Sequence, residues 1–532
     1  MAGFLGRKPK TEATLQAQEE APQLEKVQWT KDPGLRKLYF YAFILCVASA
    51  TTGYDGMLFN SIQNFDTWKS FFGNPEGQQL GLLGALYQIG SLASIFFVPM
   101  ITDNFGRKMP IAIGCVIMTV GAILQGSCQN IETFMGARFM LGFGNSLTQL
   151  ASPMLLTEIC HPQHRGRLTT VYNCLWNVGS FCVAWLCFGT NYIPTELSWR
   201  IPCIGQCAPS LIQLAFVYWV PESPRFLIAK DRADEALDML ARYHGNGDAQ
   251  NPTVQFEFRE IKETLRLELE SSKTSSYGDF FKTRGNRYRL AVLVSLGIFS
   301  QWSGSAIISN YLSVLYDNAG VRDSTVKLGL GGGQTVLAFL VSTTMALLVD
   351  RVGRRPMFLA STAGMFVTFV FWTLSAGLYE ERSLDGARYA MILFIWVFGI
   401  MYNLAWSGLL IGYAIEVLPY KLRAKGLMIM NVFVQAALTL NIYANPIAFK
   451  YFEGHTWKLY LIYTCWVFGE MVFVYFMYVE TKGPTLEELA KIIDGDRAEV
   501  ARDIGADAAE KETWDAKEKG ERASDRVPST GP

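Results

Sequence analysis

Asp55 and Arg138 carry the most chemistry to explain, because each interrupts a long apolar run in which an isolated charge is costly. Asp55 stands in Gly53-Tyr54-Asp55-Gly56, near the end of the first such run, and Arg138 lies a short way into the fourth. If both runs are helices, a rise of about 1.5 Å per residue sets the two at one depth, roughly 10 Å below the same surface. An aspartate facing a guanidinium can stay ionised there, and protonating it frees the arginine. The pair has the makings of a proton switch; a fixed structural ion pair is the plainer alternative. Glu470 is a third charge inside an apolar run, open either to a second protonation site or to a hydrogen-bonded structural role.

A second set of charges lies in short polar turns. Asp103-Asn104-Phe105-Gly106-Arg107-Lys108 returns in the second half as Asp350-Arg351-Val352-Gly353-Arg354-Arg355. Glu158 with Arg165 is echoed by Glu416 with Arg423, and Pro221-Glu222-Ser223-Pro224-Arg225 by Val479-Glu480-Thr481-Lys482-Gly483. Three signals in one order, at nearly one spacing, make an internal repeat of about half the chain. Asp103 and Asp350 can accept hydrogen bonds from helix N-termini, while Arg107, Arg354 and Arg355 can grip Glu158 or Glu416 with two parallel bonds. Such pairs are expected to latch the two halves together on one face and, when broken, to let them rock. Positive turns that only orient helices are the bland alternative.

The elements that must position these groups follow from composition. Half the residues are hydrophobic while charges crowd into the ends and a few short segments, which is membrane composition. Twelve apolar runs of about 20 residues, each long enough to span a hydrocarbon core, fall in two groups of six, at 37–220 and 289–480. Free backbone groups are not tolerated in lipid, so the expected fold is an all-α membrane protein of two pseudo-symmetric six-helix bundles. The Lys/Arg-rich turns put both termini in the cytoplasm, and 1–36 lacks the pattern of a signal peptide. Between the bundles, 221–288 reads as a cytoplasmic linker with short helices at 232–244 and 256–269, and 481–532 reads as a cytoplasmic tail, largely disordered at its end.

Several classes are excluded. Net charge is zero, so nothing points to nucleic acid. The ten cysteines lie mostly within apolar runs and the four histidines are scattered through loops, a pattern without metal-ligand spacing. No phosphate-binding loop and no assembly of nucleophile, base and orienting group is present, so neither a cofactor nor an enzyme activity is expected.

Twelve spans in two halves, the repeated D-x-x-G-R-R/K turns, Pro-Glu-Ser-Pro-Arg after the sixth span and Glu-Thr-Lys-Gly after the twelfth resemble the sugar porter family of the major facilitator superfamily over roughly 37–495. Tyr172-Asn173-Cys174-Leu175-Trp176, Gln301-Trp302-Ser303-Gly304, Tyr402-Asn403-Leu404-Ala405-Trp406 and Glu416-Val417-Leu418-Pro419-Tyr420 are similar to the fungal lactose permease and cellodextrin transporter branch. The resemblance implies a plasma-membrane symporter of protons with a sugar or glycoside, functional as a monomer in the bilayer. It implies Asp55 as the titrating group with Arg138 as its partner. It also implies substrate contacts at Asn173, Gln301, Ser305, Asn310, Tyr402, Asn403, Trp406 and Asn441, where amides can pair with vicinal hydroxyls and aromatic faces can cover a pyranose. Each could instead bond helix to helix. Ser305 stands where this branch usually has Asn, Asn310 for Tyr, Ala338 for Asn and Gly408 for Pro. Loss of hydroxyl-pairing groups alters selectivity, so lactose does not follow, and a less polar metabolite or an exporter is the alternative.

Overall fold

Lipid offers no water to a free amide, so each apolar run closes its backbone bonds within itself. The structure, a computed structural model, describes residues 32–274, 276–419, 422–482 and 493, and every regular element among them is helical. In the first half α1 is Pro33–Ile62; α2, Gly77–Ile95, and α3, Val98–Phe105, make one bent span; α4 is Lys108–Ser127, α5 Ile131–Ile159 and α6 Arg165–Thr190. The sixth span is broken at Gln206 into α7, Leu197–Gly205, and α8, Cys207–Val217. The connection holds α9, Ala233–His244, and α10, Pro252–Thr274. In the second half α11, Arg284–Trp302, and α12, Ser305–Asn318, form the seventh span. There follow α13, Ser324–Val352, α14, Arg354–Arg382, the pair α15, Asp385–Asn403, and α16, Leu410–Val417, then α17, Arg423–Tyr451, and α18, Trp457–Met477. Among the described residues nine helical rods are long and apolar enough to cross a membrane, ten with the bent α2–α3 pair counted as one, and α5 and the α7–α8 rod complete the expected twelve. α5, with its buried arginine, and the broken α7–α8 rod each carry part of the polar site.

Close backbone approach explains why the helices register as they do. A Cβ added at Gly142 of α5 would lie 1.8 Å from the Tyr87 carbonyl of α2, so only glycine lets these two backbones touch. That contact sets Tyr87 beside Arg138, one turn earlier on α5. In the second half Gly304, at φ +101, makes the turn between α11 and α12, with its Cα against the Phe369 ring.

The halves meet at the end opposite the duplicated turns. Gln63 Nε2 donates to the Asn310 carbonyl at 2.9 Å, and Asn60 Oδ1 accepts from the Leu312 amide at 3.1 Å, where Tyr311 breaks helical geometry. Gln78 Nε2 donates to Tyr443 Oη at 3.3 Å and Asn191 Nδ2 to Thr325 Oγ1 at 3.1 Å. At the turn end, α9 and α10 pack on the first half, with Met239, Leu240, Tyr243 and Val254 joining Leu35 and Leu38 in one apolar cluster. Farther along the connection, Phe280 is buried beside α11, in the large apolar cluster that spans both halves. The histidines are not scattered as their sequence spacing suggests: His161, His164 and His244 gather beneath the first half, because α9 folds back under the end of α5.

Candidate transport site

Asp55 sits in the core of the first half, only 1% exposed. Its Oδ1 accepts from Gln206 Nε2 at 2.7 Å and its Oδ2 from Tyr87 Oη at 3.3 Å. The network continues: Asn145 Nδ2 donates to Tyr87 Oη at 2.7 Å, and Thr52 Oγ1 donates to Asn145 Oδ1 at 3.0 Å. Four spans thus converge on one carboxylate, α1 through Asp55 and Thr52, α2 through Tyr87, α5 through Asn145 and α7–α8 through Gln206. Gln206 stands at the junction of α7 and α8, between Pro202 and Pro209, and its side chain is buried.

Arg138 does not form the expected direct ion pair. No contact within 4.0 Å joins it to Asp55. Its guanidinium lies 4.4 Å from the Phe59 ring centre and 4.9 Å from that of Tyr87, its Nε donates weakly to the Leu83 carbonyl at 3.4 Å, and its buried Nη1 has no partner among the described residues. Tyr87 is the reason: its ring occupies the space between the two charges, stacked on one and hydrogen-bonded to the other. The sequence reading did not single out Tyr87, Asn145, Thr52 or Gln206, although Gln206 carried a signal as one of two amides, with Gln213, inside an apolar run.

Among the described residues the ion pairs of the duplicated turns lie within each half and not across the halves. Arg107 Nε meets Glu158 Oε2 at 3.1 Å, and Arg354 Nη2 meets Glu416 Oε1 at 2.9 Å. Each contact is single, not forked, and each ties the third span of its own half to the end of a later span. Connectivity explains the correction, since the turn and its glutamate close neighbouring helices of one bundle. Arg355 reaches the Tyr475 carbonyl at 2.9 Å instead of Glu416. The helix N-termini after the turns are capped by glutamates from the segments that follow the sixth and twelfth spans. Glu222 accepts from the Arg107 amide at 3.1 Å, and Glu480 from the Arg354 and Arg355 amides at 3.0 and 3.2 Å. Asp103 is exposed at the end of α3. Gly106 and Gly353, at φ +93 and +102, admit those carboxylates: an added Cβ would lie 2.5 Å from Glu222 Oε2 and 2.8 Å from Glu480 Oε2. Glu416 also accepts from Thr481 Oγ1 at 2.5 Å. Arg423 opens α17, and the side chains of Arg165 and Asp350 lie outside the described set.

The residues assigned to substrate fall into two groups. Asn173 is exposed on α6, and Gln301, Asn310 and Asn403 are half-buried with their amide N–H groups turned to local partners: Ser300 Oγ at 3.2 Å, the Ala306 carbonyl at 2.9 Å and the Gly399 carbonyl at 2.8 Å. Ser305 and Tyr402 both donate to the Ser300 carbonyl, at 2.8 and 2.9 Å, which knits the seventh and tenth spans. Trp406 is 1% exposed, packed against Phe358 and donating to Thr362 Oγ1 at 3.2 Å. Asn441 is closed into a triad with Asn445 and Tyr463, donating to Tyr463 Oη at 3.1 Å and accepting from Asn445 Nδ2 at 2.5 Å. Glu470 is buried beside them, with Oε1 accepting from Trp466 Nε1 at 2.6 Å.

A family profile described as "Sugar (and other) transporter" matches residues 41–493. The chain belongs to that family. It is a multi-pass membrane transporter of the major facilitator fold, in a family of transporters rather than enzymes. A high-affinity glucose transporter of Kluyveromyces lactis is 28% identical over 491 residues, which cover 88% of this chain and 87% of that protein. MFS-type transporter oryC of Aspergillus oryzae is 28% identical over 470 residues, 85% of each chain. Among solved structures, the inward-open xylose transporter XylE of E. coli aligns with a TM-score of 0.69 over 86% of this chain and 99% of its own, at 21% identity, a likeness of fold.

Proposed function

We propose that this transporter is a proton-coupled symporter, bringing a sugar or glycoside across the plasma membrane by alternating access, with both termini in the cytoplasm and the monomer as the working unit. One observation carries the reading: a carboxylate buried in the middle of a membrane bundle, held by two neutral donors from two other spans, with an arginine one aromatic ring away. A proton on Asp55 removes the negative acceptor that Gln206 and Tyr87 share. The first span then loosens from the second and sixth, and Arg138 loses its counter-charge across Tyr87. Closure at the end opposite the duplicated turns supports an inward-facing arrangement once those turns are assigned to the cytoplasm by their positive charge.

Asn173, Gln301, Asn310 and Asn403 are the amides nearest to hand for sugar hydroxyls, since each keeps a carbonyl oxygen outside the bonds described above. Trp406 and Asn441 support the wall behind them. The finer resemblance to lactose and cellodextrin transporters rests on the sequence strings and favours a glycoside. A second reading, transport or export of a less polar metabolite, is favoured by Ser305 and Ala338 where amides are usual. Uptake of labelled mono- and disaccharides by a transporter-deficient strain, with external alkalinisation recorded, tests both. Sugar flux accompanied by proton uptake supports the symporter; flux of neither across a broad panel refutes it.

A further inference from the structure

Three of the four histidines of this chain meet in one place, where no transport step uses them. His244, the last residue of α9, is buried with both ring nitrogens engaged. Its Nε2 donates to the Ile159 carbonyl at the end of α5, 3.1 Å away, and its Nδ1 lies 2.6 Å from Glu257 Oε2 of α10. A carbonyl can only accept, so Nε2 carries a proton. The short contact at Nδ1 then needs a second proton, shared between imidazole and carboxylate. The pair is therefore a one-proton clasp that joins the fourth span to both connection helices. The other carboxylate oxygen, Glu257 Oε1, is buried with no hydrogen-bond partner among the described residues.

His161 stands over this clasp. It is fully buried in the turn after α5, its ring centre 5.2 Å from that of His244 and 5.9 Å from that of His164. Its Nδ1 accepts from the Gln163 amide at 3.3 Å, which leaves the neutral ring's proton on Nε2, a buried group also without a partner. Among the described residues the titratable groups facing it are His244 from α9, Glu257 from α10, His164 from the turn, with Tyr39 hydrogen-bonded to His164, and Asp32 from the start of α1. Asp32 also holds the connection, accepting from Asn246 Nδ2 at 2.8 Å. Burial first, and then the neighbouring His244, push the His161 imidazole down to about 4.

We propose that His161, His244 and Glu257 form a proton-sensitive clasp, by which acidification on the side of the duplicated turns releases the connection helices α9 and α10 from the first bundle. The sign follows from linkage. A docked His161 resists a proton that an undocked one accepts near the ordinary histidine value, so docking is at full strength above about pH 6.5 and weakens as pH falls toward 4. Between pH 7 and pH 5 the docking equilibrium should fall on the order of 20-fold through this one group. The protonated ring repels His244 and competes for Glu257 Oε1, which opens the clasp from within. Because the connection is anchored at its other end by Phe280, buried beside α11, its release frees one end of the tie between the bundles.

Amide hydrogen exchange of the full chain in nanodiscs, with labelling times scaled for the intrinsic effect of pH, reads docking of α9 and the start of α10 directly. Protection in these helices, relative to α4 as an internal reference, should fall on the order of 20-fold from pH 7 to pH 5 in the wild type. His161→Gln, which cannot titrate, should keep protection at pH 7 and lose most of that fall. Glu257→Gln should lower protection at both values. Unchanged protection of the wild type at pH 5, or an equal fall in wild type and His161→Gln, overturns the proposal. An unchanged wild-type series overturns the proposal even if a variant does not fold, and His161→Asn serves as the second non-titrating variant.

Discussion

A methyl group at Gly106 tests the duplicated turn most directly. In Gly106→Ala the new Cβ would stand 2.5 Å from Glu222 Oε2, and the residue would have to keep φ +93 with ψ 172, a region that side chains avoid. The backbone term costs about 1–3 kcal/mol. The carboxylate is the end of a flexible side chain and can move aside, but it then gives up bonds from the Arg107 amide at 3.1 Å or the Ser223 amide at 2.9 Å. A lost hydrogen bond to a charged group costs about 1.5–3 kcal/mol, so the total is roughly 2.5–6 kcal/mol. That is a large share of a typical net stability of about 5–15 kcal/mol. Unfolding in mixed detergent micelles measures it. Glu222→Ala removes the group that blocks the methyl, so the double variant should cost about 1.5–3 kcal/mol less than the sum of the single ones. Additive costs would refute the claim that Glu222 fills the space above Gly106, and a Gly106→Ala variant as stable as wild type would refute the backbone argument as well. Gly353→Ala, with Glu480 in the matching place, should repeat the pattern in the other half.

Four other outcomes are expected. Asp55→Asn should abolish accumulation of substrate against a gradient while sparing exchange, read by paired uptake and counterflow; unchanged accumulation removes Asp55 from the coupling. Gln206→Leu, which deletes the 2.7 Å donor to Asp55, should lower the rate of concentrative uptake more than that of exchange, and equal losses in both would mean a general packing defect. Gly142→Ala should destabilise by about 1–3 kcal/mol or more, because its methyl meets the Tyr87 backbone and not a movable side chain; thermal unfolding in detergent reads this. Glu158→Gln should weaken the first half by about 1–3 kcal/mol and leave the second half's hydrogen exchange unchanged, since the Arg107–Glu158 contact lies within one bundle; equal loosening of both halves would restore a latch between them.

Much of the architecture was legible because lipid leaves a sequence few choices. Long apolar runs had to be helices, and the repeated turn had to pair two bundles. The proposed proton site was legible at Asp55 and Arg138 for the same reason, a charge in lipid being conspicuous. Its neutral members were not, because Tyr87, Asn145 and Thr52 are ordinary residues in a membrane helix until a glycine at 142 brings two backbones together. Depth along a helix can be counted, whereas the direction a side chain takes depends on which helix lies opposite. That is why two charges at one depth came out separated by a ring, and why arginines counted as bridges between halves closed on their own bundle. Contact between distant segments escaped the same way: His161 and His244 are loops apart in the sequence but share one pocket.

The seam between the bundles has a consequence for how this transporter can change. At the closed end, Asn60 and Gln63 of the first half bind the Leu312 amide and the Asn310 carbonyl, groups that every residue except proline presents in full. Position 310 is also one of the proposed substrate contacts. A side chain there can be exchanged to suit a new cargo while the closure stays anchored to main chain. With Asn310 as the proposed substrate contact, selectivity and gating would be written in different parts of the same residue, and one could drift without unlocking the other.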